Sequence, residues 1–288
     1  MSWAPEIEEL RRREALAEQM GGAEKVARQH ARGKLDARAR IAGLVDAGSF
    51  RELGKIAGQG HYGPDGELLD LSPSNVIFGC ANIEGRPVVA SADNFTVRGG
   101  AADAAIHRKF VQCEQMAHTL KIPLIRMIDG TGGGGSVKTL EDIGATYVPA
   151  TPGWGEIVKN LETVPVVALA LGPTAGLGAA RVVASHYSIM VKGLSQLFAA
   201  GPAVVEAIGE ASDKESLGGS AIHTRNGVVD EEVGSEQEAF ARARRFLSYL
   251  PSHVGQHAPR IACADPVDRR EQSLIGLVPR EAKQVYSM

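Results

Sequence analysis

The stretch Val164-Pro165-Val166-Val167-Ala168-Leu169-Ala170-Leu171-Gly172-Pro173-Thr174-Ala175-Gly176-Leu177-Gly178 decides how this chain folds. Its first eight residues form an apolar run without polar alternation, the pattern of a strand in a sheet covered on both faces. Glycine and proline then end the strand, and small residues lead into a helix. The same unit precedes it. Pro123–Asp129 (PLIRMID) reads as a buried strand that ends in Gly130-Thr131-Gly132-Gly133-Gly134-Gly135-Ser136. Before that, Val76–Cys80 and Pro87–Ser91 flank a Glu84-Gly85 turn and predict a hairpin. Phe95-Thr96-Val97 then runs into Gly99-Gly100 and a helix over 101–120. Downstream, 156–161 predicts a helix, 188–191 a strand, and 236–250 a helix that stops at Pro251. Apolar strands alternating with helices predict an α/β fold.

Glycine-rich turns thus follow Val97, Asp129 and Leu171, at the ends of successive core strands. Loops there, facing helix N-termini, present unsatisfied backbone N–H groups to a phosphate or a developing oxyanion. A single glycine turn needs no ligand to explain it; three in one domain point to a site. Gly130, Gly132 and Gly135 satisfy G-x-G-x-x-G, but a run of four glycines does so by accident, and only Glu156 could serve as the acidic residue a dinucleotide site requires. A phosphate-binding Walker loop fails, because Ser136-Val137 stands where Lys-Ser/Thr is needed. There is no G-x-S-x-G elbow and no H-E-x-x-H pair. His107, His186 and His223 are each isolated, as surface or core histidines usually are. If backbone amides stabilise an enolate, the chemistry needs no acid–base side chain from this chain.

Composition sets the outer limits. In 288 residues, 44% are hydrophobic and 23% charged, and the formal charge of −3 gives no reason to expect nucleic acid or a membrane as partner. Thirty-four glycines exceed the ~7% background. Cys80, Cys113 and Cys263 are too scattered for a zinc site, so no metal is expected, and the absence of an apolar leader predicts a cytoplasmic protein. Residues 5–33 predict two helices broken at Gly21-Gly22 and lying outside the main core. The charges of the stretch from Gly33 to Phe50, among them Lys34 and Arg40, read most simply as a solvated face.

Taken together, these residues resemble the β (carboxyltransferase) subunits of biotin-dependent acyl-CoA carboxylases. The likeness is carried by HARGKLDARARIAGLVDAGSF (30–50), EGRPVVASADNFTVRGG (84–100), IDGTGGGG (128–135), GPTAGLGAARVVASHYSIMV (172–191), LFAAGPAVVEAIGE (197–210), ESLGGSAIHTRNGVVD (215–230) and LIGLVPREAKQVY (274–286). It implies a crotonase-like fold of repeated ββα units, with residues 1–50 an N-terminal helical extension and 51–288 the acyl-CoA-binding half. It also implies carboxyl transfer from carboxybiotin, carried on a partner protein, to the α-carbon of an acyl-CoA, with no covalently bound cofactor. By position, Gly176 and Leu177 would supply the N–H pair of the oxyanion element. Gly99, Gly100, Ala101, Ala175 and Gly132, Gly133, Gly134 and Gly135 would line the CoA and acyl pocket.

Two departures stand out. Leu177 replaces the second glycine of the family's Ala-Gly-Gly, and the arginine of Asp-Ser-Gly-Gly-Ala-Arg is lost in Asp129-Gly130-Thr131-Gly132-Gly133-Gly134. The resemblance also implies partners: a biotin carboxyl carrier protein, a biotin carboxylase subunit, a C-terminal carboxyltransferase half and further copies of the chain in a homo-oligomer. Other readings are a biotin-independent CoA decarboxylase or hydratase, and a non-catalytic subunit that keeps the fold.

Overall fold

The computed structural model describes residues 2–101, 107–130, 141–145, 153–210, 212–260 and 262–286. The chain divides into two compact units, Met1–Ala258 and Pro259–Met288. The smaller carries one turn of 3-10 helix at Gln272–Gly276. The larger carries the sheet.

Its strands begin with β1 (Arg51–Glu52), followed by a separate two-stranded hairpin, β2 (Gly58–Tyr62) and β3 (Leu68–Pro73). That hairpin was not foreseen from the sequence. The predicted hairpin is β4 (Val76–Ile83) and β5 (Arg86–Asp93), antiparallel about Glu84-Gly85. Glu84 and Gly85 both take positive φ, 51° and 77°, and their N–H groups donate to the Asp46 carboxylate at 2.8 Å each. From β5 the sheet turns parallel through β6 (Leu124–Gly130), β7 (Val166–Ala175), β8 (Tyr187–Val191) and β10 (Glu231–Val233); β9 (Gln196–Phe198) pairs with the far end of β7.

Helices cover both faces. On one side lie α3 (Ala37–Leu44) and α10 (Glu236–Ser248). On the other lie α4 (His107–Leu120), α5 (Trp154–Thr163) and α6 (Leu177–Val183). The apolar strand run divides by parity, as the pleat dictates. Val167, Leu169 and Leu171 pack with Ile41, Leu44 and Phe240 under α3 and α10, whereas Ala168 and Ala170 pack with Val182 beneath α6. Three short helices, α7 (Pro202–Ala207), α8 (Lys214–Gly218) and α9 (Ser220–Arg225), fill the stretch between β9 and β10.

The N-terminal helices are α1 (Ala4–Glu18) and α2 (Ala23–His30), broken at Gly21-Gly22 as predicted. Gly21 is required there: a Cβ on it would lie 2.1 Å from the carbonyl oxygen of Thr96, so the turn can press against the loop after β5 only without a side chain.

The stretch from Gly33 to Phe50 corrects the sequence reading. Its cations do not form a solvated face. Asp36 caps α3 by accepting the N–H groups of Arg38 and Ala39, and the helix then drives Arg40 into the core with no exposure at all. Burial is tolerated because the counter-charges come from far along the chain, Asp129 at the end of β6 and Glu236 at the start of α10. Periodicity cannot foresee partners at that separation.

Candidate functional site

The parallel order β5-β6-β7 places side by side, at one pole of the sheet, the ends of three strands that the sequence follows with glycines. After β5, Arg98, Gly99 and Gly100 take φ of 48°, 61° and 72° in succession. A Cβ on Gly100 would lie 2.8 Å from the carbonyl oxygen of Asp129 and 3.0 Å from the Cα of Gly130. One on Gly130 would lie 2.8 Å from the Cα of Gly100. The two loops therefore touch backbone to backbone, and glycine at both positions is a steric requirement. Ala101 closes the first loop but is almost fully buried, its carbonyl accepting from the Asn75 amide at 2.8 Å. Gly132, Gly133, Gly134 and Gly135 lie outside the described residues.

The third loop departs from the expectation. Ala175 is paired with Phe198 across β7 and β9. Gly176, with φ 58° and ψ −123°, caps α6, and its N–H donates to the Phe198 carbonyl at 2.9 Å. Gly176 and Leu177 therefore do not offer two equal donors: strand pairing has already engaged the first. The Gly176 carbonyl accepts from Ala180 N–H at 3.1 Å, down the helix. In a planar trans peptide the N–H points opposite to the C=O. The Leu177 N–H, in that same peptide, consequently points out of the helix N-terminus, as first-turn donors do.

Behind the loops lies a buried charge network. The Asp129 carboxylate accepts from Lys34 Nζ at 2.7 Å and from Arg40 Nη1 at 2.8 Å. Arg40 also holds Glu236 through Nε and Nη2, at 2.9 and 2.8 Å, and the Leu171 carbonyl at 2.8 Å. Gly172 makes room for this, since a Cβ there would stand 2.0 Å from Asp129 Oδ1. Burial pulls the Lys34 ammonium below its usual range, and Asp129 opposes that shift. Alongside, Asp93 at the end of β5 accepts the Asp129 N–H at 3.3 Å and Arg181 Nη1 at 3.2 Å. Burial raises the Asp93 carboxyl and Arg181 works against it.

On the outer side of Lys34 opens a cleft of about 220 Å³ lined by Lys25, Arg28, Arg32, Lys34, Arg98, Phe95 and Gly99. Five cations thus converge beside the Gly99-Gly100 loop, with the Phe95 ring 4.7 Å from Lys34 Nζ. Sequence reasoning missed this cleft. Its signal was present in Lys25, Arg28 and Arg32, spaced three and four apart, which puts their side chains on one side of α2 and its extension. Such a cleft suits a ligand with several phosphates. Among the described residues no group of three or more His, Cys, Asp or Glu is placed to hold a metal ion, and no helix is long and apolar enough to cross a membrane.

Comparison with known proteins agrees with this geometry. The family model described as the carboxyl transferase domain matches residues 28–288. The chain is 32% identical to the methylmalonyl-CoA decarboxylase subunit alpha of Veillonella parvula, over 98% of this chain and 55% of that protein. It is also 32% identical to the mitochondrial propionyl-CoA carboxylase beta chain of Homo sapiens, over 97% of this chain and 51% of that one. A solved structure of the transcarboxylase 12S hexamer, with methylmalonyl-coenzyme A and methylmalonic acid bound, superposes with a TM-score of 0.75 at 26% identity, covering 99% of this chain and 55% of that one. The fold is therefore the crotonase-like α/β fold of the carboxyltransferases. The chain spans about half the length of the relatives it matches.

Proposed function

Because the chain belongs to the carboxyl transferase domain family, we propose that it binds an acyl-CoA of the acetyl or propionyl class and serves as the CoA-binding half in carboxyl transfer at the acyl α-carbon. The observation that carries this reading is the cationic cleft of Lys25, Arg28, Arg32, Lys34 and Arg98 opening beside the Gly99-Gly100 loop. Coenzyme A carries a diphosphate and a ribose phosphate, and clustered guanidinium and ammonium groups bind such anions through charge-assisted hydrogen bonds. The Gly99-Gly100, Gly130 and Ala175-Gly176 backbones, kept free of bulky side chains, leave space for the thioester at the strand ends.

At the acyl end, the Leu177 N–H donates to the thioester oxygen as negative charge develops there, and the Gly176 conformation aims it. Carboxybiotin on a carrier protein supplies the carboxyl group when it docks. The biotin carboxylase subunit that recharges it, a C-terminal carboxyltransferase half and further copies of this chain complete the assembly. The kinship with a protein named as a methylmalonyl-CoA decarboxylase subunit favours the same site working in reverse, taking a carboxyl group off a carboxylated acyl-CoA.

Calorimetric titration with acetyl-, propionyl- and branched acyl-CoA, against free CoA and NAD, tests the proposal. Acyl-CoA binding without NAD binding supports it. If no CoA ester binds, either alone or with the C-terminal half of a related enzyme added, the reading is wrong.

A further inference from the structure

The structure assigns His223 as the positioning residue for the Gly176–Leu177 peptide, acting at one remove through strand β9. The inference rests on the acyl-CoA reading above, with Leu177 N–H as the donor to the thioester oxygen. β9 is three residues long, Gln196–Phe198, and it supplies the acceptor for the Gly176 N–H, the Phe198 carbonyl at 2.9 Å. A strand so short does not fix its own place. On one side it pairs with β7, Pro173 with Gln196, Thr174 with Leu197 and Ala175 with Phe198. On the other, Gln196 bridges to Gly219. The neighbouring carbonyl, that of Leu197, lies 2.9 Å from Nε2 of His223 on α9.

A carbonyl oxygen can only accept, so His223 must carry its proton on Nε2. Nδ1 is buried and has no partner among the described residues, so the hydrogen bond of the ring runs through Nε2. The contact is tight because Gly218 lets the backbone pass: a Cβ there would stand 2.1 Å from the same Leu197 oxygen. The ring therefore pins Leu197, Leu197 fixes Phe198, and Phe198 holds the Gly176 amide. The peptide that bears the Leu177 N–H can then swing neither toward solvent nor into the helix. Nothing in this arrangement touches the acyl group, so His223 acts on orientation and exchanges no proton with the substrate.

The test uses the full chain and acyl-CoA labelled with carbon-13 at the thioester carbonyl, read by NMR. Wild type is expected to bind and to move the bound carbonyl signal downfield, the mark of a polarised C=O. His223→Phe keeps an aromatic ring but removes the donor; it is expected to bind acyl-CoA and to lose the shift. His223→Gln, whose amide reaches the place of Nε2, is expected to restore the shift. Should His223→Phe not fold, His223→Asn replaces it, since its amide reaches only the place of Nδ1. A donor-less variant that keeps the wild-type shift overturns the role of His223. Wild type that binds without any shift overturns the Leu177 donor as well, and wild type that binds no acyl-CoA overturns the functional reading itself.

Discussion

Arg40 and Asp129 stand 2.8 Å apart, Nη1 to Oδ2, with neither side chain exposed to solvent, although 89 positions separate them in the chain. This pair joins α3 to the end of β6, and Lys34 and Glu236 extend it to the cleft and to α10. Removing one member leaves a buried charge without its partner, which costs roughly 3–5 kcal/mol. Arg40→Met is expected to lower unfolding free energy by that order in urea titration. A loss below about 1 kcal/mol, the level of an exposed pair, would show that the network contributes little.

Glycines at different places in this fold should respond oppositely to a methyl group. Gly172→Ala puts a Cβ 2.0 Å from Asp129 Oδ1 and 2.5 Å from Lys34 Nζ, so it should lower stability by about 1–3 kcal/mol through overpacking. Gly155 lies inside α5, where a methyl group would meet nothing within 4 Å and φ is not positive. Gly155→Ala should raise stability by about 0.5–1 kcal/mol by improving helix propensity. Thermal melts of the two variants side by side decide the matter.

The cationic cleft makes a prediction that depends on salt. The double variant Arg28→Ala with Arg32→Ala should weaken acyl-CoA binding about tenfold or more, since charge-assisted hydrogen bonds are worth roughly 1.5–3 kcal/mol each. Binding of the matching acyl-pantetheine, which lacks the nucleotide phosphates, should be unchanged. The wild-type advantage should also shrink as ionic strength rises. Equal loss for both ligands would mean that the cleft does not hold the phosphates.

Leu177 permits a substitution that removes its backbone N–H without breaking an intrahelical hydrogen bond. Proline is tolerated at the first position of a helix, where the N–H has no intrahelical partner. Leu177→Pro should therefore keep the melting temperature within a few degrees (roughly 1 kcal/mol in a domain of this size) while abolishing polarisation of the bound carbonyl, monitored by NMR of the labelled thioester. A folded variant with an unchanged carbonyl signal would rule out Leu177 as the donor.

Burial lowers the Lys109 ammonium to about 8. The unfolded chain, with an ordinary lysine near 10.4, binds more protons than the folded one between those values, so stability must rise with pH across that window. Lys109→Met removes this dependence. Denaturation at pH 7, 8, 9 and 10 should find the variant more stable than wild type at pH 7, with the gap closing as pH rises toward 10. A gap that stays constant would mean that Lys109 is not desolvated.

The amino-acid order was enough to place the strand-and-helix alternation and the hairpin about Glu84-Gly85, but it ended two core strands at Val97 and Leu171, whereas β5 stops at Asp93 and β7 runs on to Ala175, where β9 pairs with it. What it placed follows from local rules: apolar runs must be covered, and glycine is favoured where the chain turns tightly. Local rules missed β2 and β3; the β2 residues, Gly58–Tyr62, alternate too weakly to mark a strand. They also misplaced Lys34 and Arg40, because a charge is classed as solvated until its counter-charge is known, and Asp129 and Glu236 reach them only once the sheet has formed. The Gly176–Leu177 turn shows the same limit at the scale of one peptide. The resemblance pointed to Gly176 and Leu177 together, but only strand pairing with β9 engages the Gly176 N–H with the Phe198 carbonyl, leaving the Leu177 N–H as the donor we propose for the thioester oxygen. Local propensity fixes the elements. Which donors, cations and carboxylates remain available is decided by contacts between residues far apart in the chain.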